Sequence, residues 1–133
     1  MRKFALLFLF TATLALAACG GGGNAGGGGG GGGGAATITM GQFSFSGNTS
    51  VSITAGQSVT FDDPASGGGV HELVTGSNGT FSAAAGAPSD FSSADGLDFN
   101  PGDSKAVIFA TAGTYKITCK IHPSMEATIT VTQ

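Results

Sequence analysis

From Thr37 to the end of the chain, apolar and polar side chains alternate with a period of two, and no stretch sustains the 3.6-residue repeat of an amphipathic helix. Ile38 and Met40 alternate with threonines, and Phe43 and Phe45 extend this first predicted strand. Val51 and Ile53 alternate with Ser50, Ser52 and Thr54. Ala55-Gly56-Gln57 then turns the chain into Val59 and Phe61, which reads as a hairpin with one buried face. Further strands are predicted at His71-Glu72-Leu73-Val74 and at residues 106–109, 115–119 and 127–131. About seven to eight short strands with frequent turns predict an all-β sandwich. Residues 76–102 lack a clear period. A stretch this long inside a small domain needs anchors of its own, and Phe81, Phe91 and Phe99 are the expected ones. Its acids Asp90, Asp95 and Asp98 are expected to form a solvated face. Asn48-Thr49-Ser50 and Asn78-Gly79-Thr80 match the glycosylation pattern, a match too short to carry weight.

The N-terminal quarter has a different character. Arg2 and Lys3 precede an apolar run over residues 4–18, the layout of a secretory signal and too short for a comfortable transmembrane helix. The run closes with Leu16-Ala17-Ala18-Cys19, which resembles the bacterial lipoprotein processing site. The resemblance implies that Cys19 is lipidated and becomes the new N-terminus, so that a lipid anchor holds the exported protein on a membrane, at its periplasmic or extracellular face. The competing reading is an ordinary signal in which Cys19 is incidental. Thirteen of the 25 glycines fall within residues 20–34, so whole-chain composition describes this segment as much as the domain. Such a segment predicts a flexible tether with an r.m.s. reach of about 20 Å. Its G-x-G-x-x-G matches are trivial, because no strand precedes them and no helix follows. The expected organisation is therefore a signal over 1–18, a lipidated cysteine and linker over 19–36, and one domain over 37–133, long enough for a two-layer core.

Charge narrows the function. Without Arg2 and Lys3, three lysines face eight acids, a net charge of −5, and nucleic acid is not an expected partner. Cys19 and Cys119 are expected to do separate jobs instead of pairing. The two histidines of the chain exclude any centre that needs three imidazoles.

The chemistry concentrates in the segment 115–125. Tyr115, Ile117 and Cys119 share one face of a strand, which points the sulfur inward at the strand's end. Cys119, His122 and Met125 follow at intervals of three, so one return loop can present a thiol, an imidazole and a thioether to a single point. His71, the other histidine, leads a strand in which Leu73 shares its face. Two imidazoles, a thiolate and a weak axial thioether are the donor set of a blue-copper electron-transfer site. Zinc is the chemical competitor, but a thioether is a poor fourth ligand for it. Taken singly, Cys119 and Met125 also read as ordinary core residues.

With these residues in view, the chain resembles the cupredoxins, the small plastocyanin- and amicyanin-like blue copper proteins, across residues 37–133. The run from Val51 to Phe61, then His71, Asn100-Pro101-Gly102, Ala112-Gly113-Thr114-Tyr115 and the Cys119/His122/Met125 loop occur in that family's order. The resemblance implies a Greek-key β-sandwich with one type 1 copper ion at one end, bound by His71, Cys119, His122 and Met125. It also implies that the edge of His122 reaches solvent through an apolar patch, here Ile121 and Pro123, with Lys120 and surface acids tuning encounter with redox partners. Two positions depart from the family pattern. Glu72 replaces a common asparagine, although its backbone N–H is still expected to bond the Cys119 sulfur, and Ala127 replaces a glycine. The expected function is a monomeric, membrane-tethered one-electron carrier between a redox donor and acceptor outside the cytoplasm, and not an enzyme. The competing functions are a copper storage or delivery module and a metal-free adhesion sandwich.

Overall fold

The structure, a computed structural model, describes residues 36–133; the signal, Cys19 and all of the linker except Ala36 lie outside the described residues. Ten strands follow one another: β1 (Ala36–Met40), β2 (Phe45–Ser46), β3 (Ser50–Thr54), β4 (Ser58–Asp62), β5 (His71–Ser77), β6 (Thr80–Phe81), β7 (Leu97–Phe99), β8 (Ser104–Ile108), β9 (Gly113–Cys119) and β10 (Glu126–Thr132). A single 3-10 turn, Ser89–Phe91, interrupts them. One sheet has the order β2-β1-β4-β8. The other runs β3-β10-β9-β5-β6, with β7 also paired to β5. The first strand begins at Ala36, one residue inside the span assigned to the linker.

The period-two pattern works because the two sheets face each other across one core. Ile38, Met40, Val59, Phe61 and Val107 come from one sheet; Val51, Ile53, Leu73, Tyr115, Ile117, Ile129 and Val131 come from the other, and all are buried. Among the described residues no helix is long and apolar enough to cross a membrane.

Three expectations change. Residues 51–61 are not a hairpin, because β3 pairs in parallel with β10 while β4 pairs with β1 and β8 in the opposite sheet. The intervening backbone bonds to both sheets: Ala55 N–H donates to Thr132 O and Gly56 N–H to Phe109 O, each at 2.8 Å. Gly56 turns the chain at φ 90°. An arch between sheets and a hairpin within one bury the same alternate residues, so the pattern alone does not separate them. Second, Phe43 does not extend β1. Gly41 N–H closes a turn onto Ser44 O at 2.8 Å, and β2 returns antiparallel to β1, leaving Phe43 at the tip. Third, Phe91 and Phe99 anchor the irregular stretch at full burial, but Phe81 is only partly buried and lies outside the core cluster. Asp90, Asp95 and Asp98 are exposed, as expected.

A further anchor of that stretch is Tyr115, whose hydroxyl faces Thr111 O at 2.8 Å and Gly86 O at 3.1 Å. This has the form of a tyrosine corner. Asn78 and Gly79, at φ 51° and 70°, form the two-residue turn between β5 and β6. The Asn78 match to a glycosylation pattern is thus the imprint of a tight hairpin.

Candidate metal centre

The three most chemically active side chains of the domain meet at one end of the core. β9 delivers Cys119 inward at its last residue. The return loop is then tied at both ends: Met125 N–H donates to His122 O at 2.8 Å, and Cys119 N–H to Met125 O at 3.1 Å. These bonds fold residues 119–125 into a compact turn that buries Met125. β5 supplies His71 as its first residue, because the β5–β9 register sets Leu73 opposite Cys119. Cys119 Sγ lies 3.8 Å from His71 Nδ1 and 3.7 Å from His122 Nδ1. The ligand-type atoms of the three residues all fall within 4.8 Å of one another. His71 and Cys119 are fully buried and His122 is partly exposed.

These spacings are those of donors that share an ion. Bonds of about 2.3 Å to sulfur and about 2.0 Å to nitrogen, typical of a first-row ion such as zinc, place two donors about 3.7 Å apart at a trigonal angle. The soft thiolate, two imidazoles and buried thioether then match copper better than zinc.

The back of His71 is closed by polar groups that the sequence did not point to. Nε2 lies 4.0 Å from Oδ1 of the buried Asp63, and the Gly41 backbone also faces the ring. Burial pushes the His71 pKa below its usual 6.5. Asp63 opposes this, the neighbouring His122 adds to it, and Gly41 opposes it. A base with a lowered folded-state pKa makes its full contribution to stability above the unfolded value near 6.5, and that contribution is lost as pH falls toward the folded value. The denaturation midpoint of the metal-free protein is therefore expected to drop between pH 7 and pH 5. His71→Phe, which does not titrate, should flatten that part of the pH profile in urea unfolding curves.

Glu72 behaves differently from expectation. Among the described residues the polar contacts of the Cys119 sulfur are the two imidazole nitrogens, and no bond from Glu72 N–H joins them. Instead the Glu72 carbonyl accepts from Lys120 N–H at 2.9 Å, and its carboxylate pairs with Lys120 Nζ. Lys120 Nζ also donates to Ala94 O at 2.7 Å. An ion pair thus takes over the cross-link between β5 and the ligand loop. It also removes Lys120 from the role of free surface cation. Ala127 is accommodated without strain: it is buried opposite Ile117 in the β9–β10 ladder, and Asn78 is the non-glycine residue with positive φ among those described.

The turn at Asn78 and Gly79 backs the loop. Gly79 N–H donates to Thr118 Oγ1 at 3.0 Å, Asn78 N–H to Glu126 Oε1 at 2.6 Å, and a Cβ at Gly79 would press on the Pro123 ring. On the open side, Phe43 meets His122 edge-on with ring centroids 5.3 Å apart. Phe43, Val70 and Ile121 are exposed by 62, 56 and 48 %. Three of the four large apolar side chains exposed among the described residues therefore lie in or beside the segments that carry the histidines. The contribution of Phe43 was illegible in the sequence, where it looked like part of a strand.

Residues 34–132 match the copper binding proteins of the plastocyanin/azurin family. The chain is a cupredoxin. Copper is the cofactor of this cupredoxin, and the cluster of His71, Cys119 and His122 beside Met125 suits a type 1 site. Its fold is similar to that of amicyanin from Paracoccus versutus (Thiobacillus versutus), with a TM-score of 0.52 at 19 % identity over 73 % of this chain and 80 % of that one. A proline-to-phenylalanine variant of amicyanin in its reduced state gives a TM-score of 0.52 at 18 % identity, over 74 % and 82 % of the two chains. The reduced Cu(I) form at pH 4 of a proline-to-glycine variant of amicyanin gives the same values. No curated protein matches the chain.

Proposed function

We propose that this cupredoxin carries single electrons between a donor and an acceptor protein outside the cytoplasm, using copper held by His71, Cys119, His122 and Met125. The observation that carries the reading is the placing of two imidazole Nδ1 atoms at 3.7 and 3.8 Å from one buried sulfur. Copper, when bound, supplies the one-electron couple between Cu(II) and Cu(I). The chain's part is to hold a donor set acceptable to both states. Imidazole suits the oxidised ion and sulfur the reduced one. The two loop hydrogen bonds and the Glu72–Lys120 pair keep these donors in place, so little reorganisation accompanies electron transfer.

His122 is the natural portal. It is the partly exposed member of the set, and Phe43, Val70 and Ile121 offer apolar surface near it. A patch of this kind suits a brief, weak protein contact. The net charge of −5 beyond the signal favours a partner with a basic docking face and an association rate that falls with salt. Lipidation of Cys19 would hold the domain on a membrane and confine its search to nearby partners.

Copper(II) titration of the soluble fragment from Ala35 onward tests the reading. One equivalent is expected to produce an intense visible band that bleaches on reduction and returns on oxidation. A colourless protein that holds Cu(I) loosely would instead identify a storage or delivery module, and a protein that takes up no copper would overturn both.

A further inference from the structure

Asp63 has no place in the ligand set, yet its surroundings are closely built. Its side chain is fully buried, just beyond the end of β4. The backbone is fixed from two directions: Asp63 N–H donates to Asp103 O at 2.8 Å, and its carbonyl accepts from Gly102 N–H at 2.7 Å. Oδ1 accepts from Gly69 N–H at 3.3 Å and faces His71 Nε2 at 4.0 Å. Both Asp63 Oδ2 and His71 Nε2 are buried without a hydrogen-bond partner. The loop between the two residues can pass this closely only through its glycines. A Cβ at Gly68 would collide with Asp63 Oδ1 and Pro64 O, and one at Gly69 would stand 3.0 Å from Gln42 O and 3.4 Å from His71 Nε2. A carboxylate buried in this way is costly unless a donor complements it.

We infer that Asp63 is a positioning residue for the copper centre, orienting His71 from behind and setting a fixed negative charge against its ring. The inference rests on His71 being a ligand. Neutral imidazole carries one proton, and the nitrogen facing an acceptor keeps it. With Asp63 behind Nε2 the proton belongs there, which leaves the Nδ1 lone pair directed toward Cys119 Sγ. Ligand histidines commonly point their second nitrogen at an acceptor, and a carboxylate there increases the basicity of the ligating nitrogen. The Gly41 backbone also faces the ring and can help fix the tautomer, but it brings no net charge. The charge of Asp63 favours the oxidised, more positive state of the centre and so lowers its reduction potential.

Two measurements decide the matter. In the wild-type metal-free protein at pH 8, nitrogen-15 NMR is expected to find the His71 proton on Nε2; a proton on Nδ1 overturns the inference whatever any variant does. In copper-loaded Asp63→Asn, voltammetry is expected to show the oxidised-to-reduced ratio at fixed applied potential shifted about tenfold toward the reduced form, equivalent to about +59 mV. The amide can turn a donor toward Nε2, so the tautomer ratio of the metal-free variant is expected to move away from wild type. A folded Asp63→Asn protein with lower stability but unchanged potential and tautomer would reduce Asp63 to a packing role and overturn the inference. A wild-type protein that binds no copper would overturn the electron-carrier reading, whereas the tautomer of the metal-free protein tests the Asp63–His71 relation without copper.

Discussion

Cys119→Ser is expected to abolish the visible band of the copper-loaded protein while leaving the sandwich folded. The sulfur is fully buried between two imidazole nitrogens, and the band requires a thiolate that can donate charge to copper. A serine hydroxyl is smaller, harder and stays protonated at neutral pH, so that donation ends. The hydroxyl still faces two nitrogens able to accept its hydrogen, which limits the penalty of burying it. Copper affinity should fall by more than the roughly 10–100-fold typical of losing an outer partner, because a ligand itself is gone. Optical titration reads the band and affinity, and far-ultraviolet circular dichroism verifies the fold. A folded variant that kept the band would exclude Cys119 as the donor.

How much of this was legible beforehand depended on the kind of information each residue carries. The inward face of nearly every long strand could be read, because Ile38, Val51, Ile53, Val59, Phe61, Ile117, Ile129 and Val131 alternate with polar neighbours whichever sheet they join. Sheet membership could not. The crossing at residues 55–57 depends on backbone bonds to Thr132 and Phe109, far away along the chain, and no local pattern encodes them. The same limit explains β6 and β7, which are two and three residues long and too short to show a period. The Asn78-Gly79 dipeptide was nevertheless an available hairpin signal.

At the centre, Cys119, His122 and Met125 were visible because one loop carries all three at regular spacing. His71 was reached by elimination among few histidines and by family order. Asp63, Phe43 and the Glu72–Lys120 pair were not visible in these roles. Asp63 stands beside Asp62 with nothing in the local sequence to single it out, and it is buried because the glycine-rich chain at 67–69 folds over it. Glu72 and Lys120 are 48 residues apart in sequence, and only the β5–β9 register makes them neighbours. The parts that prepare the site for its ligands thus come from tertiary contacts between segments whose local sequence gives no sign of them.

Phe61→Ala is expected to cause the largest loss of stability of any single change considered for the core, about 3–5 kcal/mol. Phe61 is fully buried on β4, the inner strand flanked by β1 and β8. Its ring meets Phe91 edge-on at 5.4 Å and Phe99 at 6.4 Å. Phe91 closes the 3-10 turn and its carbonyl accepts from Thr75 Oγ1 at 3.1 Å, while Phe99 is paired with His71 in the β5–β7 ladder. One ring therefore joins the first sheet to the two phenylalanine anchors of the long irregular stretch and, through Phe99, to a residue of the metal centre. Removing it leaves a cavity that the two neighbouring rings cannot readily fill. Against a total of about 5–15 kcal/mol for a domain of this size the loss is a large fraction. Urea unfolding of the metal-free variant measures it, and hydrogen exchange of the β5–β7 amides should accelerate beyond that of β3 and β10. A loss below about 1 kcal/mol, with uniform exchange, would mean that the irregular stretch holds to the core by other contacts.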